Sequence, residues 1–183
     1  SLNIDLVEFP TNLIPLSRLN LAVASYAPLS SHKVEQHNKN TVMDITNCCI
    51  SAGSQLFNHN EEYNQFMACC LLYRGNVCHR NINQAIIDVK GKKKIQFCPW
   101  IPTGFKVGIN SSLPVLHKNC DIASSDKALC MLSNSTAVID PLGKVLDDFS
   151  TMLSKRAFVH WYEREGMEIG EFQEAFDIVQ YTM

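Results

Sequence analysis

Glu8 is the residue of this chain whose type and position are best suited to chemistry. It stands three residues after Asp5, in the segment Asp5-Leu-Val-Glu-Phe9. A carboxylate at the beginning of a helix can polarise a water molecule, provided that the substrate comes from another molecule. The same D-x-x-E spacing is typical of a capping box, in which Glu8 only helps to begin the helix. Spacing alone favours the cap and leaves the catalytic role open.

Two pairs of Cys and His residues are the other candidates for chemistry. Cys78 precedes His79 directly, and His117 precedes Cys120 by three residues. Neither pair has the C-x-x-C spacing, and the separation of the pairs fits no common zinc finger. We therefore predict polar loop residues here, no metal ligand, and no Ser-His-Asp or Cys-His catalytic arrangement.

Charged residues are grouped in two places. Segment 90–94 carries four lysines, which is typical of a solvated helix end, with contact to an acidic partner as the alternative. Four carboxylates recur at every third residue from Glu168 to Asp177, opposite Phe172 and Phe176. This amphipathic pattern needs no function, although an acidic stripe can also attract basic partners.

The composition of the 183 residues excludes several classes of protein. Apolar residues make up 46% and charged residues 19%, so the chain can form a core. The net charge of −2 and the lack of aromatic residues among the lysines exclude a nucleic-acid binder. None of the eight glycines is part of a glycine-rich phosphate-binding motif. No apolar stretch approaches the 18 residues that a membrane span needs.

The eight cysteines favour a reducing compartment over a disulfide scaffold. Cys48-Cys49 and Cys69-Cys70 are adjacent pairs in apolar stretches, and neighbouring residues rarely satisfy disulfide geometry. The segment 1–10 has neither the basic start nor the apolar run of a signal peptide. We predict buried thiols in both pairs, and core or interface positions for Trp100 and Trp161.

The elements that must position these residues mix strands with helices, and then continue as helices alone. Asp5 begins a first helix that Pro10 shortens or bends. Thr41 and Asp44 cap a second helix, which ends near Gly53. Asn134 or Ser135 begins a later one. Strands are predicted over 19–26, 67–73, 95–98, 104–109 and 128–132, and further helices over 81–89, 135–153 and 168–181. The order predicts an α+β layered domain with a helical C-terminal unit, divided near Asn134.

Several blocks of this sequence resemble tubulin, in order and from end to end. They include MACCLLYRG at 67–75, PTGFKVGIN at 102–110, CMLSN at 130–134 and KRAFVHWY at 155–162. Three features are similar to the α-tubulin branch of the family: the residue sequence of 67–75, the length of loop 111–127 and Glu8 itself.

The resemblance implies an α+β fold, with a two-layer α/β sandwich of the tubulin/FtsZ intermediate-domain type over 1–134. A C-terminal helical hairpin is then expected over 135–183. It also implies that the GTP-binding domain of the family would lie before Ser1 and is absent here. GTP and Mg are cofactors of the family, with sites on that domain and on β-tubulin, so we expect no Mg ligand in this chain.

The implied function is that of a structural constituent of cytoplasmic microtubules, forming heterodimers with β-tubulin. Glu8 matches the glutamate that reaches across the longitudinal contact and activates water for hydrolysis of GTP held by the next β subunit. The family is a GTPase, to which this chain would contribute only Glu8. The C-terminal helices are expected to bind motors and microtubule-associated proteins, with no nucleic-acid or membrane partner.

The sequence also departs from the family pattern. Pro10 replaces a polar residue, Cys78-His-Arg80 replaces Val-Pro-Lys, and Lys118-Asn-Cys120 replaces a Pro-Gly-Gly turn. Pro141 enters the penultimate helix, where only the first turn tolerates it, and the sequence ends at Met183, before the acidic tail of the family. Two alternatives therefore stay open: a non-polymerising module that binds tubulin or motors, and a degenerate copy without function.

Overall fold

The computed structural model describes residues 8–15, 17, 20–31, 40–56, 65–92, 95–101, 104–116 and 121–183. Backbone contacts divide the chain into two compact units, residues 1–136 and 137–183. Each unit is described separately below.

The first unit is built on a mixed four-stranded sheet with the strand order β1-β4-β2-β3. Strand β1 spans Val23–Ala27, β2 spans Phe66–Gly75, β3 spans Phe105–Asn110 and β4 spans Lys127–Ser135. Strand β4 pairs antiparallel with both β1 and β2, whereas β2 and β3 are parallel. The nearly unbroken apolar run in β2 suits its inner position, because a strand buried on both faces has no polar side.

Two helices pack on one face of this sheet. Helix α2 (Val42–Ile50) contacts β1 and β4, and helix α3 (His79–Gly91) connects the parallel strands β2 and β3. A parallel pair of strands needs such a crossover connection. The core between the helices and the sheet contains Ile45, Cys49, Cys69, Leu71, Tyr73, Ile82, Val89, Leu129 and Met131.

Helix α2 begins with the predicted capping box. The Asp44 backbone N–H donates to Thr41 Oγ1 over 3.2 Å, and the Thr41 N–H donates to Asp44 Oδ2 over 3.1 Å. Thr41 Oγ1 also donates to Asp44 Oδ2 over 2.6 Å, and this bond, together with the one from the Thr41 N–H, holds the pKa of the Asp44 carboxyl below its usual value. The prediction for this helix is confirmed, with its end at Ile50, before Gly53.

The second unit consists of helices α4 (Ile139–Ser154), α5 (Val159–Arg164) and α6 (Ile169–Thr182). Phe149 of α4 packs against Phe172 and Phe176 of α6, with ring centroids 6.3 and 6.2 Å apart. The sequence predicts only two helices here, because α5 is too short to give a clear apolar period. None of the helices in the described ranges is long and apolar enough to cross a membrane.

The predicted α+β fold class is confirmed, with three corrections to its elements. The segment 95–98 forms a single bridge, between Phe66 and Phe97, and no strand. Asn134 and Ser135 do not begin a helix, because β4 continues through both and α4 begins only at Ile139. Pro141 is the third residue of α4, in the first turn, where proline is tolerated.

One cysteine differs from prediction, and the tryptophans leave only the interface part of theirs open. Trp100 and Trp161 are 59% and 56% exposed, so neither is a core residue. Cys49, Cys69 and Cys70 are buried as predicted, whereas Cys48 is exposed. Adjacent residues of helix α2 point in different directions, so only one cysteine of that pair can face the sheet.

Candidate functional site

Glu8 lies in helix α1, which the structure describes over Glu8–Leu13. Asp5, the predicted cap, lies outside the described residues, and so does the side chain of Glu8. The candidate site is therefore built from the backbone of α1 and from the contacts at its opposite end.

Helix α1 continues through Pro10 to Leu13. The Ile14 N–H donates to the Pro10 carbonyl over 2.9 Å, which continues the helical pattern beyond the proline. The helix is therefore continuous across Pro10 and ends at Leu13.

The C-terminal end of α1 is fixed to the sheet. Leu13 is buried, and its carbonyl accepts a hydrogen bond from Asn134 Nδ2 over 3.1 Å. Helix α1 also contacts β2 and β4. Because neighbouring residues of a strand face opposite sides, Asn134 lies opposite Leu129 and Met131, which pack with the other helices. Helix α1 thus lies on the second face of the sheet.

The sequence does not reveal this role of Asn134. We predicted Asn134 or Ser135 as a helix cap, since Asn and Ser are common there. The residue that accepts the bond is 121 positions away, and no local pattern can report a contact over that distance.

The buried cysteines of the sheet and of α2 are arranged as inert core groups. Cys49 Sγ lies 3.2 Å from Ser25 Oγ and donates to the Leu129 carbonyl over 3.8 Å. Burial raises the pKa of the Cys49 thiol to about 11, and burial also raises the pKa values of Cys69 and Cys70. The seven cysteines in the described part of the chain are free of disulfides.

This difference in burial predicts selective alkylation within the Cys48-Cys49 pair. At pH 8, a pKa of about 11 leaves about one thiol in a thousand of Cys49 ionised, and the thiolate is the reactive form. We expect Cys48 to react with iodoacetamide about 10²-fold faster than Cys49, as measured by peptide mass spectrometry. In urea the two rates should become similar, and equal rates in the folded protein would contradict the burial of Cys49.

Cys78 and His79 lie exposed at the beginning of α3, whereas His117 and Cys120 lie outside the described residues. Where the structure describes the chain, it brings no three His, Cys, Asp or Glu side chains together as metal ligands. His79 instead lines an open cleft of about 470 Å³ between α3 and β3. The other lining residues are Ile82, Asn83, Val107, Ile109, Asn110 and Ser111.

Sequence reasoning does not find this cleft, because it depends on how α3 packs beside the edge strand β3. The lining residues of α3 are 24 or more positions away from those of β3 and the segment after it. The alternation of Phe105, Val107 and Ile109 with polar or small residues is the one local signal of a helix-facing side there.

The described residues of the lysine segment 90–94 and of the acidic stripe are exposed to solvent. Lys90 and Lys92 are exposed at the end of α3, as predicted, and Lys92 Nζ pairs with Asp88 Oδ2 over 2.6 Å. Lys93 and Lys94 lie outside the described residues. All four carboxylates of the acidic stripe on α6 are exposed, while Phe172 and Phe176 are partly buried.

The described glycines form no phosphate cradle of the kind that binds a nucleotide. Only Gly75 and Gly166 have a positive φ among the described glycines, and Gly75 is closed off by the Asp126 carbonyl. A phosphate cradle needs successive open backbone N–H groups, which neither position offers.

The fold and the site together define a class: an α+β sheet domain, followed by helices, that carries no phosphate cradle among its described residues. Residues 17–147 match the family model described as the tubulin C-terminal domain. The chain belongs to the tubulin family, which is cytoskeletal. Glu8 precedes the matched segment, so its role is argued separately below.

Proposed function

We propose that this chain is an α-type tubulin subunit that polymerises with β-tubulin in cytoplasmic microtubules. It would contribute Glu8 in trans to hydrolysis of GTP, which β-tubulin holds across the longitudinal contact. The α assignment is supported by the residue sequence of 67–75, by the length of loop 111–127 and by the segment 5–9. The observation that carries the proposal is that Glu8 lies in a helix whose C-terminal end is fixed to the sheet.

In the proposed reaction, the carboxylate of Glu8 orients a water molecule towards the γ-phosphorus. A bond forms between the water oxygen and phosphorus, and the bond from phosphorus to the β–γ bridging oxygen breaks. The electron pair of that bond leaves with GDP, and the water proton passes through Glu8 to the departing phosphate. Magnesium and the nucleotide belong to the partner's site, so Glu8 alone is assigned a step here.

Replacement of Glu8 by Gln tests this role. Glu8→Gln keeps the size of the side chain but cannot accept the proton, so we expect hydrolysis in the polymer to slow about 10²-fold. The measurement is phosphate release from microtubules assembled from the natural full-length chain and β-tubulin. Glu174→Gln, on the exposed face of α6, is the matched control and should hydrolyse GTP at the unaltered rate.

Each part of the proposal has its own contradicting outcome. An unchanged rate for Glu8→Gln, with normal polymer mass, would exclude the catalytic role. Binding to preformed microtubules without entry into growing ones would favour the non-polymerising module instead. Absence of the folded chain from the microtubule pellet would exclude both roles.

The acidic stripe of α6 supports a second proposed activity, the binding of motors or associated proteins with basic surfaces. The four carboxylates are exposed, with Glu168 as the N-cap of α6 and the other three within its 14 residues. Exposed charge of one sign speeds the approach of an oppositely charged partner, and salt weakens this effect. Such binding is compatible with polymerisation, because it uses the second unit and leaves Glu8 to the partner subunit.

A further inference from the structure

Asn134 is a buried polar residue that joins strand β4 to the helix that carries Glu8. Its exposed fraction is 2%, and its Nδ2 donates to the Leu13 carbonyl over 3.1 Å. The last carbonyl groups of a helix have no N–H donor within the helix, so they need donors from outside it. Asn134 supplies that partner in a place from which water is largely excluded, since Leu13 is only 4% exposed.

The bond connects a strand to a helix on the face of the sheet. Strand β4 is paired on both sides, with β1 and with β2, and α1 contacts both β2 and β4. Most of the stability of a helix in a protein comes from such tertiary contacts. The orientation of α1 is therefore determined largely where it meets the sheet, at Leu13 and Asn134.

Glu8 lies five residues before Leu13, which corresponds to about 7.5 Å along a helix axis. A shift at the fixed end of α1 therefore moves the backbone of Glu8 over about the same distance. A tilt there also displaces the backbone of Glu8. In-line attack on a phosphate depends strongly on distance, and a misplacement of about 1 Å can slow a reaction about 10²-fold.

We propose that Asn134 is a positioning residue for the trans hydrolysis of GTP, acting through α1 on Glu8. This inference rests on the proposed function, because Asn134 affects the rate only if Glu8 takes part in it. Asn134 itself does not touch the substrate. Its contribution is to hold α1 against the second face of the sheet in the orientation that presents Glu8.

The neighbouring residue Ser133 provides a matched control. Ser133 is equally buried, and its Oγ donates to a backbone carbonyl, that of Val23, over 3.5 Å. This bond lies within the sheet, between β4 and β1, and does not involve α1. Ser133→Ala thus removes a buried hydrogen bond to a carbonyl without releasing the helix.

The test compares Asn134→Leu with Ser133→Ala in microtubules assembled from the natural full-length chain and β-tubulin. Leucine is close to asparagine in size and has no donor, so we expect Asn134→Leu to slow phosphate release about 10-fold at normal polymer mass. Ser133→Ala should stay within about 2-fold of the unaltered rate. Asn134→Asp also removes the donor and keeps the side-chain shape, and it takes the place of Asn134→Leu where that variant fails to assemble.

A double variant separates positioning from a general loss of structure. In the Glu8→Gln background, Asn134→Leu or Asn134→Asp should cause no further slowing, because the group that Asn134 positions is already inactive. An equal further slowing in that background would overturn the inference, as would a rate unaltered by loss of the donor. If Glu8→Gln slows hydrolysis and the Asn134 variants do not, only the inference fails. If Glu8→Gln has no effect, the proposed function itself fails.

Discussion

Leu129→Ala is expected to lower the free energy of unfolding of the first unit by about 4 kcal/mol. Leu129 is fully buried in β4, between β1 and β2, and faces the core beneath α2 and α3. Truncation removes buried methyl groups and leaves a cavity that a paired strand cannot collapse to fill. Because domains are stable by only about 5–15 kcal/mol, this loss is a large part of the total.

The measurement is urea unfolding followed by far-UV circular dichroism and by alkylation of Cys69, which is buried in the folded sheet. Leu113→Ala serves as the control, since Leu113 is 58% exposed in the same unit. We expect the control to change the stability by less than about 0.5 kcal/mol. A loss of less than about 1 kcal/mol for Leu129→Ala would contradict the central position of Leu129 in the core.

Much of the fold follows from local sequence patterns. The apolar run at 67–73 predicts a buried strand and lies within β2, and the Thr41 and Asp44 spacing predicts the cap that begins α2. Both signals are local: a strand buried on two faces must be apolar throughout, and a capping box acts within four residues. The resemblance to tubulin then predicts how these elements combine.

The segment 133–136 shows where local patterns fail. Ser-Asn-Ser-Thr reads as the beginning of a helix, but Thr136 and Gln65 exchange hydrogen bonds that extend the pairing of β4 with β2. Strand pairing with a distant segment thus outweighs the local preference of these residues. The Asn134 contact with Leu13 depends on that extension, so the sequence predicts neither the strand end nor the anchor of α1.

The candidate site could be predicted only through the resemblance. The spacing of Asp5 and Glu8 favours a helix cap, and nothing in it indicates a nucleotide on another chain. The structure describes the backbone of Glu8 within α1 and not its side chain, so it agrees with either role. The functional experiments above therefore address Glu8 directly and do not rely on the fold.

Gly75→Ala is expected to lower the stability of the first unit by about 4 kcal/mol, through two separate effects. Gly75 ends β2 with a φ of +99°, a conformation that costs about 1–2 kcal/mol for a residue with a Cβ. A Cβ at this position would also overlap the carbonyl oxygen of Asp126. That oxygen accepts a hydrogen bond from the Asn76 N–H over 3.0 Å, so moving it away disrupts the junction of β2 and β4.

Gly166→Ala separates these two effects. Gly166 has a φ of +95°, but a Cβ there would have no atom within 4 Å, so the substitution adds the conformational strain without an overlap. Hydrogen exchange, resolved by peptide, reports the opening free energy of each unit for both variants. We expect Gly166→Ala to lose about 1–2 kcal/mol in its own unit. The further loss of about 2 kcal/mol for Gly75→Ala then measures the displaced Asp126 carbonyl, and equal losses would contradict the close approach of β2 to that residue.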